Sequence, residues 1–267
     1  MSEGADIIEV EGLSKSFGDF KAVDDISFRV KAGEIFAFLG PNGAGKTTTI
    51  KMLTTLLNPS QGRIRLDGHD AAVDKEAVRR SFGIVFQDPS LDDELSAWEN
   101  MELHAVLYGV PAAQLRARVE EMLGFVDLLG RKDSPVKTFS GGMKRRLEIA
   151  RGLLHHPKVL FLDEPTVGLD PQTRNHIWEY IQQLNRKEGI TVFLTTHYMD
   201  EADRVANRVA IIDHGKILVQ ETPQALKAST GTASLEEAFI HLTGHGIRHE
   251  EASSTDQMRK MRRMWRR

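Results

Sequence analysis

The chain has 267 residues, of which 40% are hydrophobic and 27% are charged, as is typical of a folded globular protein. Its formal net charge of −3 gives no general argument for nucleic-acid binding, and the absence of cysteine excludes disulfides and thiolate metal sites. The N-terminal sequence lacks the basic and apolar regions of a signal peptide, and no apolar run approaches the roughly 18 residues of a membrane helix. We therefore expect any membrane span to come from another chain.

The first third of the chain predicts short strands, then a buried strand and a helix. Residues 7–10, 26–30 and 62–66 are rich in Ile and Val and are bounded by Gly, Asp and Lys. Residues 34–40 read EIFAFLG, the pattern of a strand that is covered on both faces. A helix is predicted over residues 46–57, directly after a glycine-rich loop.

The middle of the chain, from about residue 92 to 130, predicts helices. Pro111 and Gly109 separate its two halves. Apolar residues recur there at spacings of three and four, which predicts that they form buried helical faces. These residues are Leu103, Val106 and Leu107 in the first half, and Leu115, Val119, Met122 and Leu123 in the second.

The last third alternates strand and helix patterns, which is typical of a parallel α/β sheet. Strands are predicted at 159–164, 190–196 and 208–213, and the last of these continues into a hairpin through His214 and Gly215. Residues 223–243 predict a small helical appendix. From about residue 248 the sequence is polar and ends in a basic cluster.

The glycine-rich loop at residues 40–47, GPNGAGKT, matches the pattern G-x-x-x-x-G-K-[ST]. Gly40 and Gly45 permit backbone angles that aim successive N–H groups at one point, and the following helix adds positive partial charge at its N-terminus. Lys46 would then reach the β- and γ-phosphates of a nucleotide, and the Thr47 hydroxyl would bind Mg²⁺. An incidental glycine-rich turn is the less favoured alternative, because the flanking strand and helix are what this pattern requires.

Two carboxylates, Asp163 and Glu164, end the apolar strand VLFLDE. Ligands of parallel sheets bind at the carboxyl ends of the strands, so both side chains are expected to face the phosphates. Asp163 would hold the hydration shell of Mg²⁺, and Glu164 would polarise an attacking water. The alternative, two surface acids that cap the next helix, is disfavoured because Pro165 follows them directly.

A further helix is predicted from Ser140, within the segment FSGGMKRRLEIARGLL. Its buried side would carry Leu147, Ile149, Ala150 and Leu153. Alone, such a segment is an ordinary capped helix. Its position between the glycine-rich loop and the Asp163–Glu164 pair gives it a more specific meaning.

In this order, the segments resemble the ATP-binding cassette (ABC) family of transport ATPases over about residues 7–244. Residues 40–48 are similar to its Walker A loop, residues 159–165 to its Walker B strand, and residues 139–143 to its signature sequence. Four single residues also match the family pattern: Gln87 in the Q-loop, Asp170 in the D-loop, His197 as the switch histidine, and Phe17 as the aromatic residue that stacks on adenine. Each of them alone has an ordinary structural explanation, which for Phe17 is core packing.

The resemblance implies a set of functional residues. Those implied in ATP binding are Phe17, Gly40, Pro41, Asn42, Gly43, Ala44, Gly45, Lys46, Thr47, Thr48, Ser140, Gly141, Gly142 and Asp170. Those implied in catalysis are Glu164, His197, Gln87 and Lys46. Those implied in Mg²⁺ binding are Thr47, Gln87 and Asp163.

The resemblance also implies the organisation of the molecule. We expect an α/β P-loop ATPase core with a mostly parallel sheet and an antiparallel β subdomain. The core would span residues 1–87 and 140–220, with an inserted helical subdomain at 88–139, a helical appendix at 221–247 and a basic tail at 248–267. Two copies would pair head to tail, so that each ATP lies between Lys46 of one chain and Ser140–Gly142 of the other. A separate transmembrane permease would dock on the helical subdomain, at the cytoplasmic face of the membrane.

The signature departs from the family pattern at Phe139 and Met143, and Met143 lacks an amide that could bond near the nucleotide. Residues 88–109, 196–203 and 235–244 look most like the ATPases of drug, polyketide and polysaccharide exporters. Two other classes remain as alternatives: a soluble ABC-type ATPase acting on nucleic acid or ribosomes, and a P-loop kinase of a small molecule. Trp98 is explained either by core packing or by contact with the permease.

The last ten residues, MRKMRRMWRR, suggest contact with a membrane surface. On a helical wheel, Trp265 and the three methionines fall within one arc of about 120°, and the basic residues occupy the rest. Such a helix suits the surface of an anionic leaflet. A disordered tail and a segment that docks on the permease are the alternatives.

Overall fold

The computed structural model describes residues 5–244, whose strands form two sheets. The strands are β1 (Asp6–Phe17), β2 (Phe20–Lys31), β3 (Ile35–Leu39), β4 (Gln61–Leu66), β5 (His69–Asp70), β6 (Phe82–Val85), β7 (Val159–Asp163), β8 (Thr191–Thr196), β9 (Arg208–Asp213) and β10 (Lys216–Glu221). The first sheet is antiparallel, with the order β2-β1-β4-β5. The second has the order β10-β9-β3-β8-β7-β6, in which only the β9–β10 pair is antiparallel.

The helices follow the predicted order along the chain. They are α1 (Lys46–Leu53), α2 (Lys75–Arg80), α3 (Ala97–Leu107), α4 (Ala112–Phe125), α5 (Gly141–Gly152), α6 (Pro171–Glu188), α7 (Met199–Val205), α8 (Pro223–Thr230) and α9 (Leu235–Thr243), with short 3₁₀ turns at Leu129–Arg131 and Val136–Thr138. Helix α1 ends at Leu53 and not at residue 57, because Thr55 adopts a left-handed φ of 60°. Among residues 5–244, no helix combines the length and apolar character that crossing a bilayer requires.

Strand β3 lies in the middle of the second sheet, and all five of its residues are buried. Successive side chains of a strand point to opposite faces, so the strand contributes to two cores. Phe36 and Phe38 pack towards the antiparallel sheet with Phe28, Phe161 and Phe193. The alternate residues, such as Ala37 and Leu39, pack on the helical side. The predicted buried strand is therefore the centre of the molecule.

The helical segment between β6 and α5 corrects one prediction. Leu103, Val106 and Leu107 were expected to be buried, but 55%, 63% and 72% of their surfaces are exposed. The buried face of α3 carries smaller or adjacent residues instead: Ala97, Asn100, Met101 and Ala105. Because apolar residues occupy both sides of α3, periodicity alone does not identify which side faces the core. In α4 Val119, Met122 and Leu123 are buried as predicted, whereas Leu115 is only partly buried and packs against the core.

Helices α5, α8 and α9 agree with their predictions. The buried residues of α5 include Leu147, Ile149 and Ala150. Helices α8 and α9 form the helical appendix, and α9 packs against α7 through residues such as Phe239 and Ala202 in the core of the helical side. Residues 245–247 and the basic tail at 248–267 lie outside the described residues, as does the predicted membrane contact of that tail.

Candidate functional site

The glycine-rich loop connects the carboxyl end of β3 to the first turn of α1. Gly45 stands at the helix N-terminus with a φ of 110°, and a Cβ there would lie 2.6 Å from the carbonyl oxygen of Ala22. Only glycine combines this backbone conformation with this close approach. The loop therefore curves tightly and presents the N-terminus of α1 to the space above the sheet, which is the geometry of an anion site.

Lys46 is the first residue of α1, and its side chain is buried within the loop. Its Nζ donates to the carbonyl oxygens of Gly40, at 2.7 Å, and Pro41, at 3.2 Å. The same nitrogen lies 3.4 Å from Oε1 of Glu164, at the end of β7. The ammonium group is thus held against the loop and faces a carboxylate across the site.

A cavity of about 530 Å³ opens beside the loop. Its lining consists of Phe17, Phe20, Ala22, Pro41, Asn42, Gly43, Ala44, Gly45, Lys46, Thr47, Thr48, Gln87 and Glu164. Phe17 is 50% exposed, so the core-packing alternative for this residue is wrong. Lys15 Nζ lies 5.3 Å from the centre of the Phe17 ring, a cation–π contact that supports the aromatic edge of the cavity.

Asp163 ends β7 and is almost fully buried beneath the cavity. Its Oδ1 accepts hydrogen bonds from the hydroxyls of Thr195, at 2.6 Å, and Thr47, at 3.4 Å. Burial raises the pKa of this carboxyl group, and the two hydroxyl bonds oppose that change. The two hydroxyls and the carboxylate between them offer only oxygen atoms as metal ligands, and hard divalent cations prefer oxygen ligands.

Glu164 follows directly and has a left-handed backbone, with a φ of 51°. Such a conformation is uncommon for a residue with a side chain and is typically found at functional sites. The Glu164 N–H donates to the hydroxyl and the carbonyl oxygen of Thr195, both at 3.1 Å, which holds this conformation. The side chain consequently points to Lys46 and not along the strand.

His197 follows β8 and completes this arrangement. Its Nδ1 is hydrogen-bonded to Oε2 of Glu164 at 2.6 Å. Burial by itself would raise the pKa of Glu164, but the bond to His197 and the charge of Lys46 outweigh it and lower the pKa. The carboxylate is therefore ionised at neutral pH, which is the state that accepts a proton.

The signature residues lie around a different cavity, of about 270 Å³. Ser140 caps α5 by accepting a hydrogen bond from the N–H of Met143, at 3.3 Å. Gly142 packs so closely on α6 that a Cβ would lie 2.4 Å from Cγ2 of Thr173. Asp170 caps α6 by accepting bonds from the N–H and hydroxyl of Thr173. Thus Ser140, Gly141, Gly142 and Asp170 are absent from the lining of the cavity beside Lys46.

Sequence reasoning missed two residues of the site. Thr195 joins Asp163 to the backbone of Glu164, and its signal was a polar residue near the end of the buried strand FLTT. Phe20 lines the cavity opposite Phe17 in the β1–β2 hairpin, and its signal was a second aromatic residue near the turn. Within residues 5–244, no group of three or more His, Asp or Glu side chains is arranged to hold a metal ion.

Comparisons with known proteins agree with this geometry. The family model described as ABC transporter matches residues 23–167. The chain is 45% identical over 224 residues to the daunorubicin resistance ATP-binding protein DrrA3 of Streptomyces coeruleorubidus, covering 84% of this chain and 71% of that protein. It is 43% identical over 220 residues to the Nod factor export ATP-binding protein I of Ralstonia nicotianae, covering 82% and 68%.

Solved structures give the same result. An ATP-binding subunit of an ABC transporter superposes with a TM-score of 0.80 and 32% identity, covering 89% of this chain and 99% of that one. An ATP-binding cassette solved as a dimer in a post-hydrolysis state, with ADP and Pi, superposes with a TM-score of 0.72 and 27% identity, covering 80% and 98%. The predicted fold is thereby confirmed, and nothing in the comparisons supports the nucleic-acid alternative. The chain belongs to the ABC transporter family, as an ATP-binding subunit that hydrolyses ATP.

Proposed function

We propose that this subunit drives the export of a drug, a polyketide or a glycolipid-like compound through a separate membrane permease. The observation that carries this proposal is the identity of 40% or more, over most of the chain, to ATP-binding proteins named for daunorubicin resistance, linearmycin resistance and Nod factor export. We infer a substrate of that kind for the permease that this subunit serves.

We propose that ATP binds in the cavity beside Lys46. The N–H groups at the start of α1 and the Lys46 ammonium would hold the phosphates, and the ring of Phe17 would stack on the adenine. Thr47, Gln87 and Asp163 would hold Mg²⁺, which when bound supplies positive charge to the phosphates. The oxygen-rich donor set around Asp163 supports this assignment.

We propose that Glu164 accepts the proton of the attacking water. A carboxylate that lies in the same cavity as the phosphate-binding loop and is hydrogen-bonded to a histidine suits this role. His197, which bonds to the Glu164 carboxylate, would orient it and contact the γ-phosphate. The Lys46 ammonium lies 3.4 Å from the same carboxylate. When ATP binds, it would exchange this ion pair for contacts with the phosphates.

We propose that the working form is a dimer in which each ATP lies between two chains. Ser140, Gly141, Gly142 and Asp170 are exposed or partly exposed, and Ser140 and Gly142 line a cavity of their own. This supports a role on the nucleotide of a second copy. A related cassette forms a dimer bound to ADP and Pi, which also supports the proposal. A two-fold axis would create two identical sites, so one kind of subunit is sufficient.

We propose that the permease docks on the exposed apolar face of α3, formed by Leu103, Val106 and Leu107. Exposed apolar residues that are grouped in this way typically mark an interaction site. The exposed acids Glu99 and Glu102 flank this face, which favours a partner helix with apolar and basic residues. Trp98 is only partly buried and lies 5.3 Å from Nζ of Lys132. The subunit would thus act at the cytoplasmic face of the membrane, with contact by the basic tail as a further prediction.

Transport in vesicles tests the proposed function. The subunit would be co-expressed with a permease encoded by a neighbouring reading frame, and inside-out vesicles would be supplied with a fluorescent anthracycline and ATP. ATP-driven uptake is expected with the native subunit and is expected to be lost in Glu164→Gln. ATP hydrolysis without uptake of any drug, polyketide or glycolipid-like compound supplied, despite a bound permease, would contradict the export proposal.

A further inference from the structure

The loop that carries Gln87 is fastened to helix α5 by side chains of that helix. Arg145 donates from Nη1 to the carbonyl oxygen of Phe86 and, at 2.8 Å, from Nη2 to the carbonyl oxygen of Gln87. Arg151 donates to the carbonyl oxygen of Ser90 at 2.9 Å. The loop follows β6 and has no regular secondary structure between residues 86 and 90. Three of its carbonyl groups therefore bond to α5 side chains and not to a neighbouring strand.

A buried ion pair stabilises these contacts. Nη1 of Arg145 lies 3.2 Å from Oε2 of Glu148, and the two residues are only 5% and 2% exposed. The other oxygen of Glu148 accepts a hydrogen bond from the N–H of Ser90, at 2.7 Å. Burial raises the pKa of Glu148, while the Ser90 bond and Arg145 lower it. Each buried charge is thus satisfied partly by its partner and partly by the loop backbone, so neither is easily removed alone.

The position of this pair on α5 gives it a consequence for the ATP site. Ser140 caps the N-terminus of the same helix, and Arg145 stands about 7.5 Å further along its axis. A helix of this length behaves as a rigid rod over so short a distance. Gln87 lines the cavity beside Lys46, whereas Ser140 lines the signature cavity. The first turns of α5 thus connect Gln87 in one cavity with Ser140 in the other.

We propose that Arg145 and Glu148 are positioning residues that fix Gln87 to the signature helix, so that Ser140 and Gln87 move as one unit. This inference rests on the proposed roles of Gln87 and Ser140 on two different ATP molecules. Contact of Ser140 with the nucleotide of the partner would then set the position of Gln87 at the nucleotide of its own chain. The two ATP sites of a dimer would be linked through the second and third turns of α5.

Amide hydrogen exchange tests the physical contact without any need for ATP hydrolysis. Arg145→Met is expected to accelerate exchange in the peptide covering residues 86–95. The loop carbonyl groups lose their donor, and Glu148, which accepts from the Ser90 N–H, loses the ion pair that fixes its carboxylate. Arg118→Met is the matched control, since Arg118 is also a buried arginine that bonds to carbonyl groups at the other end of α5, those of Leu153 and Leu154. Unchanged exchange at 86–95 in Arg145→Met, or equal acceleration in the control, would overturn the proposal.

A double-mutant cycle tests whether Arg145 acts through Gln87. Arg145→Met and Gln87→Ala are each expected to raise the Mg²⁺ concentration for half-maximal ATPase activity by about tenfold, as is typical for the supporting contacts of a metal site. In the double variant the rise is expected to stay at about tenfold and not to reach the product of the two. Arg145→Lys, which keeps the charge but has a single donor nitrogen in place of the guanidinium fork, is expected to recover part of the loss.

The outcomes separate this inference from the proposed function. If the rise in the Mg²⁺ concentration for half-maximal activity in the double variant equals the product of the two single rises, the positioning role is overturned. This conclusion holds even if the native subunit is fully active. If Arg145→Met unfolds, the double variant Arg145→Met, Glu148→Leu replaces the pair with apolar side chains and gives the same readouts. If instead the native subunit hydrolyses no ATP, the proposed function fails, and the exchange experiment still decides whether α5 holds the loop.

Discussion

Nδ1 of His197 lies 2.6 Å from Oε2 of Glu164, although the two residues follow different strands and are far apart in the chain. Strands β7 and β8 are parallel neighbours, so their carboxyl ends lie at the same edge of the sheet. The left-handed backbone of Glu164 then turns its carboxylate towards both His197 and Lys46. One carboxylate therefore links the phosphate-binding loop to the histidine.

Replacement of this histidine is expected to slow the chemical step. His197→Ala should lower kcat by about 10²–10⁴-fold with little change in the KM for ATP, because the carboxylate loses the group that orients it. His69→Ala, at a partly exposed histidine of the antiparallel sheet, is the control. Steady-state ATPase assays decide the matter, and near-native kcat in His197→Ala would exclude the proposed role of this contact.

If each ATP site is shared between two chains, two inactive variants are expected to restore activity when they are mixed. Lys46→Ala removes the phosphate contact on one side of each site, and Ser140→Arg blocks the signature on the other. A mixture of the two variants should form heterodimers with one intact site, and so recover about a quarter of the native activity. ATPase activity of the mixture is compared with each variant alone. A mixture that is no more active than its parts would count against independent shared sites.

An acid-sensitive region is expected around His104 in α3. Its ring stacks on Tyr108, which stacks on His155, and burial with the nearby charge of Arg151 lowers the pKa of His104 to about 3. Between that value and the ordinary 6.5, the unfolded chain binds the proton and the folded chain does not. The free energy of unfolding should thus fall by about 2 kcal/mol from pH 7 to pH 5 on account of this residue.

Urea denaturation at the two pH values measures this contribution. His104→Phe keeps the stacked arrangement and removes the titrating group, so its stability should depend less on pH. His241→Phe, at an exposed position of α9, should keep the native pH dependence. An identical loss of stability in His104→Phe and the native chain would show that His104 is not the cause.

The exposed apolar face of α3 is expected to bind the permease. Leu103→Asp combined with Val106→Asp places two charges on this face without entering the core, since both residues are more than half exposed. Co-purification with the detergent-solubilised permease should be lost, while the melting temperature stays close to native. Val73→Asp, at an exposed apolar residue near the antiparallel sheet, should co-purify normally. Retained co-purification of the α3 variant would place the docking surface elsewhere.

The sequence was most informative where residue type and position are both restricted. The loop at 40–47 needs glycines at tight turns and a lysine at the helix start, and the acids at 163–164 must follow a buried strand. These requirements leave a pattern that can be read without coordinates. The strand order could not be predicted from the sequence. Alternation of strands and helices predicts parallel pairing, but it does not indicate which strand lies in the middle of the sheet.

Tertiary contacts explain what could not be predicted. The buried side of α3 depends on which neighbours cover it, and Ala97 and Ala105 permit a closer approach than the leucines on the opposite side. The bond between Thr195 and Asp163, and that between Arg145 and the loop at 86–90, join segments that are distant in sequence. Hydrophobic periodicity contains no information about such polar contacts.

The central claim is that Glu164 is the catalytic base in an ATP site shared by two copies of the chain. Light scattering after size-exclusion chromatography of Glu164→Gln, with Mg-ATP in the buffer, tests it most directly. The variant should hydrolyse ATP about 10²–10⁴-fold more slowly and elute at twice the chain mass with two ATP per dimer. With ADP it should elute as a monomer, and an added Ser140→Arg should abolish the dimer but not ATP binding. Near-native hydrolysis by Glu164→Gln, or a monomer with ATP bound, would contradict the account.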